Sequence, residues 1–595
     1  MIRTTSNTCI GSRAQRLFLT ANPKIRPVGK KNALAVPSFR LHSSTSINST
    51  ETGATTNPSR GCPHHEKRTG SNGMATSTTQ KVEFVKVPQL PLVGSMIPLY
   101  SNMEAYDLSN VYNIWCNNRK KFGDFYSAGL PSSINRNNIT GETFVMTDPK
   151  EFMKVLRTEG NYPYGAVTVE WPVVRYYQEA EESSPGAAAG SALFGHGPEW
   201  QRIRRFMQTD LLHPSAAKGY VGGMIRACQI ASEGAPLHSK NIEEYTAFCS
   251  FDMFSSVAFG EFPGLASGKS EQEENRKFCE RSLSATGLIL PMMTSLTELA
   301  KNGLGMKSEL YSTFEKNFSV SRDIASLKLK NFQKRKENNE LLNEFEKNSY
   351  SSLALDRFQA SKGEEGAINE DDVAEIIVVG LVAALDTTSS LLNWCLFHLA
   401  TNPEVQAELY REVSRNVAES GTDGLTESCF TKSNSVYLDA LLRENHRITP
   451  PVAFNLTKQN RTSDVEIHGK TIPKDNTFFL DSRSAGMDPN FVKDPDTFDP
   501  SRWFESETKK RKGTPAEFLD HPLYREPFSA GARKCPGSRV ANYEAKILLS
   551  QLVLDWKISL EDTGETAPKS WRDVSYFAGL TVQPEVPPLS FERRQ

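Results

Sequence analysis

The first 50 residues of this 595-residue chain contain no acid, its nine cysteines include no CxxC pair, and it has almost no net charge, with 69 Lys plus Arg against 70 Asp plus Glu. Each absence excludes something. Near neutrality argues against a general nucleic-acid binder, which carries an excess of basic charge. Cys9, Cys62, Cys116, Cys228, Cys249, Cys279, Cys395, Cys429 and Cys535 are scattered singly, so neither a disulfide framework nor a zinc site is expected, and a reducing compartment is. No apolar run in the leading segment approaches the ~20 residues of a membrane span, so no transmembrane anchor is expected there. What the leading segment does hold is Arg3, Arg13, Arg16, Lys24, Arg26, Lys30, Lys31 and Arg40 among frequent Ser and Thr. That is the composition of an organelle transit peptide, mitochondrial before plastid. We expect a transit peptide over residues 1–43, a flexible Ser/Thr/Asn/Gly-rich linker over 44–87, and one folded body over 88–595. Cys62-Pro-His64-His65 falls in the linker, where nothing would hold metal ligands in place.

The body opens on Pro88, Pro91, Gly94 and Pro98, an extended, turn-rich start. Thr143–Met146, Val465–His468 and Thr477–Leu480 read as strands, and Asp148–Glu159 as a helix capped by Asp148. Residues 215–345 are mostly helical in pattern. A long helix is expected from Asn369, its cap, to about Ala400, and shorter ones over Tyr437–Ile448 and Ser538–Trp556. The long helix is apolar nearly all round, so it is buried rather than surface-lying. Asp386, Asn393 and His398 argue against its spanning a membrane. An acid and two threonines at its centre, Asp386-Thr387-Thr388, are expensive there without partners.

The densest chemistry is Phe528-Ser-Ala-Gly531-Ala-Arg533-Lys-Cys535-Pro-Gly537. Cys535 stands just ahead of a helix, whose free N–H groups and partial positive charge favour a thiolate, the metal-binding form of the thiol. Gly531 and Gly537 permit tight turns and close approach of a flat ligand, Arg533 supplies a permanent cation, and Phe528 an aromatic wall. This stretch resembles the haem-binding signature Phe-x-x-Gly-x-Arg-x-Cys-x-Gly of the cytochromes P450 at all five fixed positions.

The resemblance implies a mainly α fold with small β-sheets, a b-type haem, and Cys535 as its axial ligand. Other segments then fall into the family's order. Trp200 and Arg204, four apart on one helix face, resemble the Trp-x-x-x-Arg pair that meets haem propionates. Ala384-Leu-Asp386-Thr387-Thr388 resembles the oxygen-activation segment, with Ala384 where a glycine is usual. By that resemblance Thr387 hydrogen-bonds dioxygen or its relay water and Asp386 helps deliver protons. Glu444, Arg447 and the downstream Arg502 resemble the Glu-x-x-Arg triad that holds the cysteine loop. Where many members place a second propionate arginine, Asn455-Leu-Thr-Lys458 follows Pro450-Pro451, which leaves Lys458 or Arg461 for the part.

Cys535-Pro-Gly-Ser-Arg539-Val-Ala-Asn-Tyr-Glu544 looks most like the mitochondrial class, whose members commonly hydroxylate sterols with electrons from a ferredoxin and its reductase. Arg443 fits one basic residue of that class's ferredoxin site, while Asp439 stands where another is expected. No flavin or reductase segment is found, so electrons are expected from a separate protein. The implied activity is monooxygenation of a lipophilic, sterol-like substrate, with room for peripheral membrane contact and none for a nucleic acid. Two rivals stay open: a P450 that rearranges hydroperoxides without an electron partner, and a non-catalytic haem or lipid carrier.

Overall fold

The computed structural model describes residues 85–87, 111–129, 142–163, 172–183, 193, 195–269, 273–294, 298, 301, 306–338, 340–361, 368, 370–452, 457–561, 567–578 and 581–595. The expected transit segment, nearly all of the expected linker with its Cys62-Pro-His64-His65 tract, the Pro88–Pro98 stretch, Asn369 and Asn455 lie outside the described residues.

Helices dominate, and the largest sheet has five short strands: β1 (Val85–Lys86), β2 (Phe125–Ala128), β3 (Thr143–Met146), β4 (Thr457–Gln459) and β5 (Thr477–Leu480), in the order β1-β2-β3-β5-β4. β1 runs parallel to β2 and β3 parallel to β5; the other neighbours are antiparallel. Phe144 sits opposite Phe478, their rings stacked 5.3 Å apart, with Phe125 5.8 Å from Phe144. Such aromatic cross-strand contacts fix register in short strands. β1 pairs ahead of Pro88, so the sheet starts earlier than the boundary expected at residue 88.

Helix α1 (Pro149–Leu156) follows β3, and Asp148 caps it by accepting from the Lys150 and Glu151 N–H groups, as expected. Helices α2 (Pro198–Leu211), α3 (Ile242–Phe259), α4 (Glu370–Thr401), α5 (Val436–Ile448) and α6 (Ser538–Asp555) carry the remaining residues of interest.

α4 is the axis of the molecule. By length and composition it passes for a membrane span, yet most of it is buried inside the protein. Leu385, Leu392, Trp394, Phe397 and Leu399 are wholly buried, and α3 packs along it. Its polar side chains are consumed internally, which is how a buried helix tolerates them. Asn393 accepts from Thr246 (2.7 Å) and donates to Gln583 (3.1 Å). Ser390 and the Trp394 indole both donate to the Val582 carbonyl, and His398 meets Thr449. Gln583 and Val582 belong to a small hairpin, β6 (Tyr576–Ala578) with β7 (Val582–Pro584), that lies along the middle of α4.

Candidate haem-binding active site

A cavity of about 580 Å³ opens between α2, α4, α5 and α6, within the range of small-molecule and cofactor sites. Helical spacing selects its lining. From α4 come Ile376, Val379, Gly380, Ala383, Ala384, Thr387, Thr388 and Leu391; from α2, Trp200, Arg204, Met207 and Leu211; from the start of α6, Gly537, Val540, Ala541 and Glu544. Each set repeats at i, i+3 or i+4, one face of one helix.

Cys535 lies at the cavity wall, its backbone N–H bonded to the Phe528 carbonyl at 2.9 Å, so the loop closes on itself. Burial pushes the thiol up from its ordinary range, while the Gly537 N–H and the Arg204 charge pull it down. The helix start therefore does not by itself lower this thiol, as its position in the chain had suggested; enclosure outweighs it. A coordinated metal removes the thiol proton outright.

Gly531 adopts φ +73°, and a Cβ there would meet Glu159 Oε2 at 2.8 Å. The positive φ favours glycine, and the Glu159 carboxylate would have to move for any larger residue. Gly537, at φ −82°, has ordinary backbone geometry, so its expected role in a tight turn is replaced by its N–H directed at the sulfur. We expect Gly531→Ala to destabilise the protein by about 1–3 kcal/mol, with a lower thermal midpoint and faster haem loss; an unchanged midpoint would contradict this account of the loop.

Two enclosed guanidiniums flank the loop. Arg533 donates to the Pro163 and Gly195 carbonyls and lies over the Trp200 ring at 3.8 Å. Burial and the nearby Arg204 charge push its pKa down to about 10. Arg204 donates to the Lys534 carbonyl, and its Nε has no partner. Neither arginine forms an ion pair with a carboxylate among the described residues. Lys458 also lines the cavity, buried, with Nζ 2.6 Å from the Ala530 carbonyl and 3.3 Å from Glu159. Arg461 is held elsewhere, 2.8 Å from Asp475. Buried cations without enough anions are costly unless a ligand brings the missing charge.

A family model for cytochrome P450 matches residues 88–583. The chain is a cytochrome P450. It is similar to the mitochondrial sterol 26-hydroxylase of Oryctolagus cuniculus, 23% identical over 491 residues, 80% of this chain and 84% of the relative. The mitochondrial cholesterol side-chain cleavage enzyme of Capra hircus is 23% identical over 541 residues, 89% and 92% of the two chains. The mitochondrial 25-hydroxyvitamin D-1 alpha hydroxylase of Mus musculus is 24% identical over 471 residues, 76% and 83%.

Family membership makes this P450 a haem-thiolate monooxygenase that uses haem b. The residues present fit that group: a sulfur at the cavity wall and two enclosed arginines lacking carboxylate partners among the described residues.

One expected site residue lies elsewhere, and one acid that the sequence did not single out takes its place at the cavity. The Asp386 carboxylate does not line the cavity; it accepts from Thr581 (2.8 Å) and Gln583 (3.1 Å) on the opposite side of α4. Successive residues on a helix are ~100° apart, so an acid beside Thr387 faces elsewhere. The Thr387 hydroxyl lines the cavity and bonds back to the Ala383 carbonyl at 2.9 Å. The acid that does reach the cavity is Glu544, whose Oε2 accepts from Thr388 at 3.2 Å. Burial raises its pKa to about 7, with the Thr388 bond opposing. Its signal in the sequence was an acid on the apolar face of α6, seven residues past Gly537.

The Glu444 triad forms as expected, with an addition. Glu444 accepts five hydrogen bonds: two from Arg447, and one each from Arg502, the Trp503 indole and the Asp499 N–H. Arg447 also donates to the Gly486 and Pro495 carbonyls, and Arg502 to that of Asp494. The triad thus grips the 486–503 segment rather than the cysteine loop itself. Its nearest link to that loop is His446, whose ring meets Phe528 edge-on at 6.3 Å.

Proposed function

We propose that this P450 hydroxylates a sterol-like lipophile in the mitochondrion, with electrons from a ferredoxin-type donor and its reductase. The observation that carries the reading is the apolar cavity between Cys535 and Thr387. The names of three relatives that align over most of the chain support the substrate class and the compartment. The basic, acid-free leading segment agrees with a mitochondrial address. Lys546 Nζ sits 2.7 Å from Asp439, so the acid at the expected ferredoxin position is neutralised, while Arg443 is partly buried and lines the cavity, with burial pushing its pKa down.

In this reading Cys535 would hold the haem iron through its sulfur, with Phe528 beside it. Trp200, Arg204, Arg533 and Lys458 would receive the haem propionates, which would supply the anions those cations lack. When bound, the haem supplies oxygen activation, favoured by an electron-rich sulfur ligand. Met207, Leu211, Val379 and Leu391 exclude water and hold the apolar substrate. Thr387 presents its hydroxyl at the cavity. Glu544, with Oε2 accepting from the Thr388 hydroxyl, would hold a proton on its other carboxyl oxygen and deliver it into the cavity. Asp386 is then the anchor of α4 on β7 rather than the group that faces the reaction.

Ligand-shift titration of the purified holoenzyme with sterols, fatty acids and terpenoids tests the substrate class. Sterols are expected to give the substrate-type spectral change at the lowest concentration. A response to fatty acids alone would overturn the sterol reading.

Glu544→Gln tests the acid. Product formation is expected to fall about 10²-fold or more, with the reduced-CO spectrum intact. A second readout follows from linkage. A carboxyl raised from the ordinary glutamate range to about 7 binds more protons folded than unfolded between those values. Its contribution therefore weakens stability as pH rises through that window. The parent's thermal midpoint should drop more between pH 5 and pH 8 than the variant's. Identical profiles and identical turnover would remove Glu544 from the route.

A further inference from the structure

His446 stands between the two members of the Glu444/Arg447 pair, yet it takes no part in their network. Its ring packs edge-on against Phe528, is largely buried, and lines the cavity. Nδ1 is sealed from open space and has no hydrogen-bond partner among the described residues. A proton on Nδ1 would be stranded there, so the hydrogen-bond pattern assigns the tautomer with N–H at Nε2. Nε2 is not one of the sealed atoms of this cavity-lining ring. Burial lowers the ring's pKa to about 4, so it is neutral at physiological pH. The helix carrying it is fixed by Glu444 and Arg447, so the ring has little freedom to turn elsewhere. Phe528, against which it packs, is also the residue whose carbonyl holds the Cys535 N–H.

We propose that His446 is a positioning residue for electron transfer: its Nε2–H offers a donor dipole to the cavity that Cys535 also lines, and would raise the reduction potential of a haem iron held there. This rests on the reading of Cys535 as the axial thiolate. A donor dipole near a sulfur ligand withdraws electron density from it, which stabilises the reduced metal. The Glu-x-x-Arg motif fixes only the glutamate and the arginine on either side, so it assigns this position no part.

The experiment is a spectroelectrochemical titration of the holoenzyme and of His446→Leu and His446→Gln. Leucine removes the donor while keeping an apolar side chain of similar bulk; glutamine restores an N–H. His446→Leu is expected to lower the one-electron potential by at least a tenfold change in the ferric/ferrous ratio, 59 mV. His446→Gln is expected to recover at least half of that. The reduced-CO band of a thiolate haem must persist in both. A potential for His446→Leu equal to the parent's, with that band intact, overturns the proposal and leaves the Cys535 reading standing. Absence of the band in the parent itself would instead strike the Cys535 reading. Should His446→Leu not retain haem, His446→Gln against His446→Asn, whose shorter amide withdraws the N–H, makes the same comparison: equal potentials overturn the proposal.

Discussion

Cys535→Ala is expected to lose the thiolate-type reduced-CO band completely, and product formation with it, by at least about a thousandfold. The reason is local and chemical. Among the described residues, the side chains that line the cavity and bear a metal-binding nitrogen or sulfur are Cys535, Met207, His446 and Lys458. Lys458 is occupied by Glu159 and the Ala530 carbonyl, and His446, packed edge-on against Phe528, carries its proton on the ring nitrogen that is not sealed, which leaves no lone pair there for a metal. No other thiol stands at this wall to take the sulfur's place. The fold should survive, because the loop's closing bond runs through the backbone, Cys535 N–H to Phe528 carbonyl, and not through sulfur. The measurement is the difference spectrum beside far-UV circular dichroism. A variant that is folded and still shows the thiolate band would refute the assignment.

Glu444→Ala should be the most damaging change away from the sulfur. Glu444 is completely buried and is the sole acid among the ion pairs of both Arg447 and Arg502. Its removal strands one fully buried guanidinium and a second that is mostly buried, and leaves the Trp503 indole and the Asp499 N–H without their acceptor. Breaking a buried pair by deleting one partner typically costs about 3–5 kcal/mol. That is a large part of a domain's net stability. We expect a sharply lower thermal midpoint, poor haem retention, and preferential proteolysis across residues 486–503, which Arg447 and Arg502 tie down. Lys510→Ala is the matched control: its pair with Glu507 is surface-exposed, and no measurable change is expected. Equal midpoints for Glu444→Ala and the parent would show that the triad does not carry the fold.

The cysteine loop was legible because its chemistry is packed into ten residues whose spacing is the geometry: a positive-φ glycine, an aromatic wall and a sulfur ahead of a helix. Asp148 as a cap, the strands Thr143–Met146 and Thr477–Leu480, and the span of α4 were legible because caps and periodicity are local. What was illegible depended on which neighbour a side chain faces. α4 is apolar nearly all round, so no stripe revealed that Thr387 turns toward the cavity and Asp386 toward β7. Glu544 read as one more residue of a helix until α4 was laid across α6 and brought Thr388 to 3.2 Å. The thiol's upward shift was illegible for a related reason: a helix start is written in the sequence, whereas the protein that encloses it comes from distant segments.

The hairpin at residues 576–584 has a consequence for how the molecule is made. Val582 and Gln583 supply the partners for Ser390, Asn393, Trp394 and Asp386, nearly 200 residues upstream. A nascent chain leaving the ribosome therefore emits its central helix long before the strand that satisfies it. Until that hairpin is made, the helix carries four polar side chains short of a partner on an otherwise greasy rod. It is a natural client for a chaperone over that interval.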